Sequence, residues 1–68
     1  MIKRASEAGP EMIARLSSED CALAIFDALS FGVSYLKIEE TPDGFRVRRV
    51  SPVWVQRTAD GVLRKRQP

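Results

Sequence analysis

The side chains best suited to chemistry in this 68-residue chain are two aromatics, Tyr35 and Trp54, set among Lys37, Arg46, Arg48, Arg49, Arg57, Arg64, Lys65 and Arg66. The chemistry they suit is recognition. Aromatic rings stack on bases or fill pockets on a protein partner, and guanidinium groups hold phosphates or carboxylates. Catalytic combinations are harder to assemble. The chain has no histidine, so there is no imidazole base and no His-based zinc site. Cys21 is the only cysteine; without a histidine partner it reads as a small core residue. Glu39 and Glu40 are neighbours on an expected strand, so they point to opposite faces and cannot share a proton. Asp27 lies on a largely apolar helix and reads as its surface residue. The glycines are scattered, and none belongs to a phosphate loop. The expectation is a non-enzyme with no metal and no cofactor.

Length and composition fit one small domain. Hydrophobic residues make up 44% and charged residues 29%, which is globular composition. A domain this short buries only about 60% of its unfolded surface, so it is marginally stable. One cysteine cannot form an intrachain disulfide, which leaves self-association as a source of stability and a homodimer as an even alternative to a monomer. No apolar run approaches the roughly 20 residues of a membrane span, and the first residues lack a signal-peptide core. The expected location is cytoplasmic, with no membrane partner. Charge is divided unevenly. Residues 1–40 carry four basic and seven acidic side chains, a balance of −3; residues 41–68 carry seven basic ones against Asp43 and Asp60, a balance of +5.

The elements that would position these groups follow from periodicity. Residues 1–9 have none and read as a flexible tail. Pro10 suits the first position of a short turn of helix. Ser17 or Ser18 can cap the next helix, with Glu19 and Asp20 at its positive end. Ala22, Ile25, Phe26 and Leu29 then recur at helical spacing, and Gly32 stops the helix. This main helix is expected over about 18–31. Alternation over 33–40, the turn Thr41-Pro42-Asp43-Gly44 and alternation over 45–50 predict a hairpin. A four-residue loop sets Glu39 opposite Arg46 and Ile38 opposite Val47. The pattern slips at Arg48-Arg49, which predicts a bulge there. Ser51-Pro52 breaks the ladder, and residues 53–66 predict a second hairpin around Thr58-Ala59-Asp60-Gly61. Residues 67–68 are expected to fray.

The fold class is therefore α+β, with one main helix packed on a three- to four-stranded antiparallel sheet made of two hairpins, about 33–50 and 53–66. Leu36, Ile38, Val47, Val53 and Val55 would meet Ile25, Phe26 and Leu29 of the helix. The outer face would present Tyr35, Lys37, Arg46, Arg48 and Trp54, either open or covered by residues 1–16 or by a second copy. An arginine-rich strand is ordinarily a solvated face, and a tryptophan ordinarily packs. Three functions remain. The first is a small regulatory protein that binds another protein through this aromatic- and Arg-bearing face. The second is a nucleic-acid-binding module using the basic C-terminal half. The third is a self-associating structural protein. Protein binding leads, because the net charge is only +2 and the acidic first half would repel phosphate.

Overall fold

The computed structural model describes residues 1–66, so the expected fraying of 67–68 lies outside the described residues. The fold is α+β, as the periodicity required. A three-stranded antiparallel sheet has the order β1-β2-β3, formed by Ile2–Arg4, Tyr35–Thr41 and Gly44–Val50. A separate two-stranded sheet joins β4 (Val55–Arg57) to β5 (Leu63–Lys65). The helices are a single turn, α1 (Pro10–Ile13), and the main helix α2 (Ser18–Phe31). No helix among the described residues is long and apolar enough to cross a membrane.

Helix α2 begins and ends where its caps dictate. The Ser17 hydroxyl accepts the Asp20 amide at 3.1 Å, satisfying one free donor of the first turn. Gly32 closes the helix at φ 76, a left-handed conformation that costs a residue without a Cβ little. The central hairpin has the expected register, with Glu39 opposite Arg46 and Ile38 opposite Val47. Thr41 pairs with Gly44, so the turn is tighter than a four-residue loop and only Pro42 and Asp43 stand outside the ladder.

Several expectations are overturned. Residues 1–9 are not a loose tail: Ile2–Arg4 adds the third strand, pairing Ile2 with Lys37 and Arg4 with Tyr35. Main-chain bonds between Met1 and Ile38 extend that pairing. Three residues are too few to show a two-residue period, and the strand exists because β2 offers an open edge. The second hairpin does not extend the same sheet. Ile2 pairs beside Lys37, on the face opposite Leu36; β5 lies against β1 on that side, and Ile2 and Val55 are both buried. The outer face of the sheet is thus partly covered by residues 55–65. Residues 10–16 lie on the helix side instead, where Arg15 stacks over the Phe45 ring at 4.1 Å and donates to the Phe45 carbonyl.

No bulge forms at Arg48-Arg49. The ladder runs unbroken from Thr41–Gly44 to Tyr35–Val50. Alternation never slipped, because Arg49 points to the same side as Val47. Val53 and Trp54 belong to a 3-10 turn, Pro52–Trp54, rather than to a strand, and both are exposed.

The helix is rolled opposite to expectation. Leu36 and Val47 are buried, and the α2 residues buried with them are Ala24 and Asp27, not Ile25, Phe26 and Leu29. Those three side chains are 59%, 60% and 83% exposed. Asp27, expected on the surface, is fully buried.

Candidate functional site

The roll of α2 has an identifiable cause. Asp20, Ala24 and Asp27 recur at helical spacing and form the stripe that faces the sheet. Arg49, inward on edge strand β3, answers that stripe twice. Its guanidinium grips Asp27 in a bidentate pair, Nε to Oδ2 at 2.7 Å and Nη2 to Oδ1 at 2.6 Å. Its main-chain N–H donates to Asp20 Oδ2 at 3.3 Å. That N–H is on the open edge of the sheet, where a carboxylate replaces the missing strand. Hydrogen bonding to Asp27 chiefly raises the Arg49 pKa above its ordinary value; partial burial opposes this, and the charges of Asp27 and Asp20 add to it. Ser34, also buried, donates its hydroxyl to the Ala24 carbonyl and ties the start of β2 to the same helix. Breaking a buried, paired charge costs about 3–5 kcal/mol, more than one exposed leucine gains by turning inward. The roll of the helix keeps this pair buried and leaves the apolar stripe facing out.

The outward face of α2 carries Ala22, Ile25, Phe26 and Leu29. Asp27 is the one ionised residue between Cys21 and Phe31, and it is buried, so this face bears no charge. Beside it runs a groove of about 230 Å³, apolar in character, between α1 and α2; Ile13, Leu16, Cys21, Ile25 and Ala28 line it. Cys21 is half-buried there rather than enclosed in a core. An exposed, contiguous apolar patch of this kind is unusual on a monomer.

The second surface is a cleft of about 310 Å³ between the outer face of β2–β3 and the second hairpin. It brings together Lys37, Glu39, Arg48, Arg49, Trp54 and Lys65. Trp54 is 44% exposed, and its carbonyl accepts the Arg66 amide, which seats the turn against the strand after Lys65. Lys37 and Arg48 are cross-strand neighbours. Lys37 stands 4.0 Å from Glu39, a loose surface pair that leaves the ammonium largely available. Arg49 borders this cleft, but its guanidinium is committed to Asp27 on the other side of the sheet.

Other residues singled out in the sequence do not join the cleft. Tyr35 borders a different depression, with Arg4 and Gly32, near the end of α2. Arg46 is exposed opposite Glu39. Arg57 is exposed at the end of β4, and Arg64 lines a depression with Met1 and Ile2. Arg66 is exposed beyond β5. Two signals for the Asp20–Asp27–Arg49 device were present in the sequence: an aspartate within an apolar helix, and an arginine at an inward strand position. Each alone has an ordinary reading, and only their meeting makes them informative.

No group of three or more potential metal ligands occurs among the described residues. No family model, curated protein or solved structure matches the chain.

Proposed function

We propose that this chain is a small, non-catalytic protein-binding module whose docking surface is the outward face of α2, complementary to an apolar protein surface. One observation carries the reading: the helix buries its charged stripe and exposes Ile25, Phe26 and Leu29. A helix whose only role was to cover the sheet would do the reverse. The docking surface thus moves from the sheet face, where composition suggested it, to the helix. The test is binding of an apolar fluorescent dye to the purified protein. Strong emission at dilutions where the chain is monomeric, weakened in Leu29→Glu, supports an accessible apolar face; emission indifferent to that substitution at the same dilution counts against it. Leu29 is 83% exposed, so the substitution leaves the interior untouched.

The Trp54 cleft favours a second reading, single-stranded nucleic acid. A half-exposed indole offers a stacking platform, with Lys37, Arg48 and Lys65 around it to hold phosphates. Asp20 and Asp27, which count toward the acidic half in sequence, lie under the opposite face and are engaged by Arg49. Three phosphate contacts would give a log–log salt slope of about −2 for single strands. Titrating Trp54 fluorescence with single-stranded oligonucleotides checks this. A flat response at low salt, or full binding by Arg48→Ala/Lys65→Ala, excludes the cleft.

A further inference from the structure

We propose that the occupant of the α2 face is a second copy of this chain, its α2 packed antiparallel across a two-fold axis. The proposal rests on the protein-binding reading above and names the partner.

The argument begins with the shape of the exposed stripe. Ser18, Ala22, Ile25 and Leu29 follow one another at spacings of four, three and four, the seam along which two helices pack side by side. The stripe is graded in size. Its N-terminal half, Ser18 and Ala22, is small; its C-terminal half, Ile25 and Leu29, is large. A parallel copy would set large against large at one end and leave a gap at the other. An antiparallel copy sets Ile25 over Ala22 and Leu29 over Ser18, and the two-fold repeats both contacts. A helix that complements itself only when reversed is what an isologous interface requires.

Surface area points the same way. The accessible surface is 4897 Å² for 7.6 kDa. The scaling for folded monomers gives about 4300 Å² at this mass. The excess, about 600 Å² over the whole chain, includes the exposed Ile25, Phe26 and Leu29, and a standard interface buries ~800 Å² per partner. The apolar groove continues the patch on one side through Ile25, so the contact would extend to Ile13 and Leu16. No charge lies on the stripe, so two copies meet without like-charge repulsion.

The experiment is sedimentation velocity of wild type, Leu29→Glu and Arg57→Glu from 1 to 100 µM, with circular dichroism and dye binding on the same samples. The expected result is twice the monomer mass for wild type and Arg57→Glu. Leu29→Glu should be a folded monomer, its dimer weakened at least ~100-fold. A disulfide trap adds orientation: Ala22→Cys/Ile25→Cys, in a Cys21→Ser background, should cross-link between copies under mild oxidation. A wild type that stays monomeric at 100 µM yet binds dye through Leu29 overturns the second copy and leaves the protein-binding reading standing. A monomer that binds no dye overturns both. A dimer indifferent to Leu29→Glu shows that the copies meet elsewhere and overturns this interface.

Discussion

Removing the Asp27 carboxylate should cost this protein a large part of its stability. In Asp27→Ala the Arg49 guanidinium loses both of its short bonds, 2.6 and 2.7 Å, while its side chain stays only 20% exposed. Breaking a buried ion pair in this way costs about 3–5 kcal/mol, and the partly exposed tip of Arg49, which water can reach, places the loss near 3 kcal/mol. Total stability for a chain of this length is only about 3–10 kcal/mol. At roughly 4–8 °C per kcal/mol, the melting temperature should fall by about 12–24 °C. Urea unfolding followed by circular dichroism reads the free energy, and thermal melts read the shift. The paired apolar replacement, Asp27→Leu/Arg49→Leu, sharpens the test. It leaves no unpaired charge, so it should lie within about 1 kcal/mol of wild type or above it. The single changes Asp27→Leu and Arg49→Leu should therefore be non-additive by ~2 kcal/mol or more. An Asp27→Ala variant that loses less than ~1 kcal/mol, or single changes that simply add, would refute the claim that this pair sets the roll of α2.

Three further outcomes are expected. Ile2→Ala should destabilise by about 2 kcal/mol or more, because Ile2 is buried although its neighbours looked like a tail; a null effect in urea melts would return residues 1–4 to a loose end. Gly32→Ala should cost about 1 kcal/mol, since the helix ends there at φ 76, and a neutral result would show that the chain leaves α2 by another conformation. The third concerns acid. The Thr58 hydroxyl hydrogen-bonds Asp60 and holds its carboxyl below the ordinary value of 3.8. A depressed folded value stabilises the second turn fully above the unfolded pKa and loses that stabilisation as pH falls through the folded one. Amide signals of Gly61 and Val62 should therefore titrate with a midpoint below 3.8; a midpoint above it would be inconsistent with the bond.

Much of the local structure was legible in the residues themselves. Ser17, Asp20 and Gly32 act within one helix, and Pro42-Asp43-Gly44 sets the register of one hairpin; such signals depend on neighbours in sequence, so sequence contains them. Trp54, Arg48 and Lys65 stood out by residue type alone, but the half-exposure of Trp54 and its grouping with Lys37 and Lys65 came from the fold.

What only the tertiary structure decided are the features that require two distant segments to meet. Ile2–Arg4 is a strand because the edge of β2, more than thirty residues later, is open to it. The direction of α2 was set in the same way. Periodicity marked Ile25, Phe26 and Leu29 as an apolar stripe and predicted it would turn inward. That expectation weighs one side chain at a time, at a few kcal/mol each. It omits the partner that a buried aspartate finds 22 residues away. Once Arg49 stands inward on β3, exposing Asp27 would strand the Arg49 charge under the sheet, a penalty of about 3–5 kcal/mol that offsets much of the gain from burying the stripe. The sequence by itself determined that α2 has an apolar face; that this face looks outward goes with the Asp27–Arg49 pair beneath the helix, a meeting of segments that only the fold brings about.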